Sequence, residues 1–233
     1  MMDRKITALR IQKRNPNRVN VYLDGEFAFG LARIVAAWLQ VGHTLSPEKI
    51  QELLSQDEGE VAYQRALKFI QYRPRTQSEI RQNLQKHDVS EPVIHQVLDR
   101  LERTGLVNDR RFAETWIENR SDLRPRSRFA LAHELKQRGI NPDIINSSLN
   151  GVDDDELAYQ AARKQYRKYS HLDWQSYRQK MYGFLGRRGF NYEVSQAAVA
   201  QVWNENHGSS SLAEAHDEPS MDNTESEDEE VNS

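Results

Sequence analysis

The sequence contains no cysteine, which excludes disulfides, zinc ribbons, iron–sulfur sites and thiol nucleophiles. A reducing compartment, the cytoplasm, is the expected location. No apolar run approaches the ~20 residues needed to cross a bilayer. Met1-Met2-Asp3-Arg4-Lys5 leads into no apolar stretch, so neither a membrane anchor nor a secretory signal is expected. A P-loop, a Gly-rich dinucleotide motif after a strand, a nucleophile elbow and a metalloenzyme-type His i, i+4 pair are also missing. The last absence is of one charge sign. After His207 there is no Lys or Arg but nine carboxylates: Glu214, Asp217, Glu218, Asp222, Glu225, Glu227, Asp228, Glu229 and Glu230. Of 35 acidic and 32 basic residues in all, the body therefore keeps 26 acidic against 32 basic, a net charge of +6. A basic body with an acidic tail points to a polyanion partner; the alternative is a solvated surface with a solubility tail.

What is present begins with β patterning. Ile6 to Ile11 is rich in aliphatic and β-branched residues, and Asn15-Pro16-Asn17 is a turn signal. Val19, Val21 and Leu23 alternate with polar neighbours. Asp24-Gly25 is a two-residue hairpin signal, followed by Phe27 and Phe29. A three-stranded antiparallel meander over residues 4–29 is predicted. Leu31 to Leu39 and Pro47 to Leu54 read as short helices, the second capped by Ser46 with Pro47 at its first position.

From Asp57 onward the period is helical, and it repeats. Arg73-Pro74-Arg75-Thr76 matches Arg124-Pro125-Arg126-Ser127 at an offset of 51 positions. Ile80 then meets Leu131, Leu84 meets Leu135, Val89 meets Ile140 and Leu98 meets Leu149. A weaker third copy places Met181, Leu185, Gly189, Phe190 and Val199 at equivalent positions, without the Arg-Pro-Arg. Gly139 and Gly189 fall where a helix C-cap wants a left-handed residue, and Asp88 stands there in the first copy. The fold class expected is mainly α: three tandem three-helix repeats forming an elongated, curved array, with a small N-terminal β-meander and a disordered acidic C-terminal tail. The expected divisions are 1–56 for the meander with short helices, 57–108, 109–152 and 153–206 for the repeats, and 207–233 for the tail.

The candidate binding residues are cations that recur with the repeat. Arg73, Arg75, Arg124 and Arg126 flank the turn into each second helix. Lys86, then Lys136 and Arg138, then Arg187 and Arg188 follow at the far ends, and Arg81 and Arg128 complete the set. Taken singly, each reads as an exposed helix-end charge of little worth to stability. Recurring along a repeat array, they would line one face suited to a phosphate backbone or an acidic protein groove. Tyr159, Tyr166, Tyr169, Trp174, Tyr177, Tyr182 and Phe184 read as packing between helices rather than as base-stacking platforms. The G-x-x-G matches within Gly183–Gly189 lie in a helical core pattern, against a KH-type clamp. Asp153-Asp154-Asp155-Glu156 reads as helix capping rather than a metal site. No catalytic residue, metal ligand or cofactor site is assigned.

Several of these segments together resemble the RecX family, regulators of the bacterial recombinase RecA. They are Ala62–Leu67, Arg73–Ile80, Gly105-Leu106-Val107-Asn108-Asp109 with Phe112-Ala113, and Glu134–Ile140. The resemblance is close over residues 60–150 and looser over 150–205; Asn108 stands where the family usually has Asp. It implies a non-enzymatic modulator of recombination and repair that binds along the groove of the RecA–DNA filament and inhibits RecA ATPase and strand exchange. The expected partners are the RecA recombinase filament and, weakly and non-specifically, single- or double-stranded DNA. The expected state is a monomer without membrane contact. The alternative reading is a direct DNA-binding protein or transcription factor with tandem helix-turn-helix-like units.

Overall fold

Alternating apolar residues build the N-terminal sheet. Strands β1 (Arg4–Gln12), β2 (Asn15–Leu23) and β3 (Glu26–Ala32) form the antiparallel meander. A two-residue strand, β4 (Thr44–Leu45), adds to the open edge of β1, giving the order β3-β2-β1-β4. The computed structural model describes residues 2–207; of the expected acidic tail, everything after His207 lies outside the described residues. Asp24 and Gly25 both have positive φ, +51° and +93°, as the tight β2–β3 turn requires. Asn15-Pro16-Asn17 is not the first turn but the start of β2. Gln12 already pairs with Asn15, so the turn falls on Lys13-Arg14. Pro16 sits at a strand beginning, where its missing N–H costs no ladder bond. An irregularity between Val21 and Tyr22 puts Phe29 opposite Val21 and Phe27 opposite Tyr22. Phe27 therefore packs edge-to-face on Tyr22, largely exposed, and does not join the core.

Helix α1 (Pro47–Gln71) runs unbroken through Asp57, where two separate helical stretches were expected. Asp57 and Glu60, within this helix, are buried and paired. Asp57 accepts hydrogen bonds from the Ala32 amide and from the Arg18 guanidinium at 2.9 Å. Glu60 accepts from Arg100 at 2.8 Å, and Arg100 stacks on Tyr63. One helix thus serves two cores. Leu53 packs with Ile6, Val21, Leu23 and Leu31 of the sheet. Ala62, Tyr63 and Ala66 pack with α2 (Gln77–Gln85) and α3 (Glu91–Arg103) through Ile80, Leu84, Ile94 and Leu101. The expected helix at Leu31–Leu39 is instead the end of β3 and one 3-10 turn, Val35–Trp38.

The second three-helix unit is α4 (Asp109–Leu123), α5 (Arg128–Gln137) and α6 (Pro142–Ser148). The third is α7 (Asp154–Tyr169), α8 (Trp174–Gly186) and α9 (Tyr192–His207). The repeat-equivalent positions Ile80, Leu131 and Met181 are fully buried, as are Leu84, Leu135 and Leu185. Burial of each such side chain is worth about 1.5–3 kcal/mol. All three second helices end in one way. The amides of Val89, Ile140 and Phe190 reach back to the carbonyls of Leu84, Leu135 and Leu185, around Asp88, Gly139 and Gly189 at positive φ. The described residues form two compact units, one of 2–119 with 131–150, the other of 120–130 with 151–207, so α4 and α5 contribute to both. Among the described residues no helix is long and apolar enough to cross a membrane.

Candidate functional site

The Arg-Pro-Arg motifs form the joints between successive three-helix units. In the first joint Pro74 follows the end of α1 and Thr76 caps α2. The Thr76 hydroxyl accepts from the Glu79 amide at 3.1 Å, while the Glu79 carboxylate accepts from the Thr76 amide. Thr76 also donates that hydroxyl to the Arg138 carbonyl at 2.8 Å, in the turn that ends α5. The next amide, Gln77, donates to the Asp109 carboxylate at 2.9 Å, at the start of α4. Burial there pushes the Asp109 carboxyl up, although the Gln77 amide opposes the shift.

Glu79 gathers three cations at this joint: Arg73 at 3.0 Å, Arg138 at 3.3 Å and Arg75 at 4.0 Å. Arg75 lies over the Phe69 ring and Arg138 over the Trp116 ring, each at 4.0 Å from the centroid. The Trp116 indole N–H donates to Glu134 at 2.8 Å. Burial lowers the Arg75 pKa first, and neighbouring Arg73 and Arg138 lower it further against the opposing pull of Glu79.

The second joint reuses the scheme with other side chains. The buried Ser127 donates its amide to the Arg188 carbonyl at 3.1 Å, and its hydroxyl accepts from the Ala130 amide at 3.2 Å. The Arg128 amide donates to Asp154 at 2.7 Å, as Gln77 does to Asp109. Arg188 donates to the Pro125 carbonyl at 3.0 Å and lies over the Phe184 ring at 4.4 Å. Ala130 stands where Glu79 stands in the first joint, at the same offset of 51 positions. Burial lowers the Arg188 pKa, and the like charges of Arg126 and Arg124 lower it further.

The structure divides the sequence-derived cations in two. Arg73, Lys86, Arg124, Arg128, Lys136 and Arg187 are exposed. Arg75, Arg81, Arg126, Arg138 and Arg188 are half-buried, and Arg81 pairs with Glu91. Arg75, Arg138 and Arg188 depart from the expectation of exposed helix-end charges: each packs its planar guanidinium on an aromatic ring within a joint. Two residues missed in the sequence sit beside the motifs. Tyr72 and Leu123, again 51 positions apart, end α1 and α4 with 85% and 74% exposure. The repeat offset that aligned the arginines carries the signal for them. In the third unit Tyr166 and Trp174 pack on Tyr177, and Tyr182 packs on Tyr192. Tyr177 is fully buried 4.9 Å from the Trp203 ring, and burial pushes its hydroxyl up to about 12. Gly183 and Gly186 lie within α8, and Asp153 caps α7 by accepting from the Asp155 amide.

An antiparallel sheet followed by three joined three-helix units defines a class of tandem helical-repeat proteins. Family models for the RecX N-terminal domain and for the first, second and third RecX three-helix domains match residues 4–46, 62–101, 108–149 and 153–199. The chain belongs to the RecX family of regulatory proteins. It is 30% identical over 207 residues to Regulatory protein RecX of Clostridium perfringens strain SM101, covering 86% of this chain and 97% of that one. Against the Bacillus subtilis protein of the same name identity is 31% over 206 residues, covering 86% and 78%. A crystal structure of regulatory protein RecX aligns with a TM-score of 0.68 at 28% identity, covering 84% of this chain and 98% of that one.

Proposed function

We propose that this protein is a non-enzymatic regulator of the RecA recombinase that binds the RecA–DNA filament and inhibits its ATPase and strand exchange. Family membership supports the regulatory role. The observation that carries the mode of binding is repetition. Two corners of the same design each set an exposed apolar side chain, Tyr72 or Leu123, next to an exposed arginine, Arg73 or Arg124. A filament of identical protomers on a regular phosphate backbone is a repeating target, which a repeated epitope fits. Lys86 and Lys136 of one compact unit, and Arg128 and Arg187 of the other, are further exposed cations, while Arg75, Arg138 and Arg188 hold the corners in shape.

The test uses the exposed arginines. Arg73→Ala combined with Arg124→Ala should weaken co-sedimentation with RecA filaments. It should also reduce the log–log salt slope by about 0.7–0.9 for each phosphate that is no longer neutralised. Melting should move little, because exposed charges are worth about 0–1 kcal/mol each. Unaltered filament binding and salt dependence in the folded double variant would overturn the assignment.

A further inference from the structure

The groove between the N-terminal sheet and α1 holds cations that the fold leaves uncompensated. Its volume is about 1020 Å³, and Arg33 and Ile34 line one wall while Val61, Gln64, Arg65 and Lys68 line the other. The carboxylates nearby are already engaged: Asp57 with Arg18 and the Ala32 amide, Glu60 with Arg100 and Gln64. Among the described residues the side chains of Arg33, Arg65 and Lys68 have no hydrogen-bond or ion-pair partner. Arg65 and Lys68 are three positions apart on α1 and so share one helical face. Arg33 enters from the sheet side, its backbone fixed by the amide donating to the Asn17 carbonyl at 2.7 Å.

We propose that this groove binds a short stretch of single-stranded nucleic acid, with Arg33, Arg65 and Lys68 on its phosphates. Cations facing one another across a groove repel unless an anion lies between them, and guanidinium groups match phosphate oxygens two at a time. Ile34 and Val61, 61% and 39% exposed, give sugar and base an apolar surface beside those charges. Asn15 and Asn17, also in the lining, add donors and acceptors for base edges. A single strand leaves its bases free to reach that apolar surface and those amides, whereas the bases of a duplex are stacked and paired. An acidic peptide would satisfy the cations but has less use for the amides. The site contains none of the repeat-borne arginines and does not depend on the filament reading.

The test is binding of the full chain to a short fluorescent oligo(dT) across a salt titration. The Arg33→Gln, Arg65→Gln, Lys68→Gln triple variant should lose affinity, and its salt slope should fall by about 2, at about 0.7 per single-strand phosphate bound. Single Arg65→Gln and Lys68→Gln variants should each show about a third of that change, so the outcome is readable even if the triple variant misfolds. Unchanged affinity and slope in folded variants would overturn the proposal. So would loss of binding to poly-glutamate with oligo(dT) binding intact, which would assign the groove to an acidic protein. Filament co-sedimentation is a separate readout, so failure here and failure of the regulatory reading are distinguishable.

Discussion

Replacing Gly139 by alanine is expected to cost about 2–5 kcal/mol. Gly139 has φ +74°, and a Cβ there would overlap both Cβ and Oγ of Ser78 in the first turn of α2. The left-handed backbone accounts for about 1–2 kcal/mol. The overlap adds about 1–3 kcal/mol, because Ser78 Cβ is fixed to the backbone and cannot rotate away. The cost therefore falls on the joint between the first two three-helix units. Gly105 supplies the control: its φ is +69°, but nothing lies within 4 Å of an added Cβ, so Gly105→Ala should show only the backbone share. Adding Ser78→Gly to Gly139→Ala should recover the overlap share. Denaturant unfolding of the wild type, the Gly139→Ala and Ser78→Gly single variants and the double variant gives the cycle, with Gly105→Ala measured beside it. Equal costs at Gly139 and Gly105, or no recovery in the double variant, would remove the close approach as a cause.

Leu135→Ala should destabilise by about 2–5 kcal/mol. The side chain is fully buried at the end of α5, so truncation removes its burial and leaves a cavity among its neighbours. Leu123→Ala removes the same atoms from a side chain that is 74% exposed and should stay within about 0.5 kcal/mol. A Leu135→Ala effect under about 1 kcal/mol, measured by urea unfolding, would mean the repeat's buried face is misassigned.

Much of this fold is legible in the sequence because the repeat registers several physical demands at once. The offset of 51 positions aligns buried aliphatics, N-caps and the Arg-Pro-Arg turn, and each copy contributes independent support. The left-handed residue after the second helix is readable from Gly139 and Gly189, and Asp88 adopts it too, with φ +57°. The packing of one repeat on the next is not readable. Gly139 looks like an ordinary helix cap, and nothing in hydropathy shows that Ser78, far earlier in the chain, packs against it. Asp57 marks a boundary that the helix does not have for a related reason: a buried, paired carboxylate has the same one-letter pattern as a polar break between helices. The two-residue β4 is too short to carry alternation.

The candidate site is half legible. Charge and repetition single out Arg73 and Arg124, which are exposed. They also recruit Arg75, Arg138 and Arg188, whose flat guanidinium groups pack on Phe69, Trp116 and Phe184. Arginine carries the same charge in both settings, so only the ring beneath it tells them apart. Arg33, Arg65 and Lys68 give no signal in the sequence because they fall outside the repeated positions, and what matters about them is the absence of partners.

RecA ATPase on single-stranded DNA, measured with increasing amounts of this protein, tests the regulatory reading most directly. Inhibition should appear at substoichiometric ratios to RecA and be relieved by combining Arg73→Ala with Arg124→Ala. Unchanged ATPase at equimolar protein, with no co-sedimentation with the filament, would contradict it.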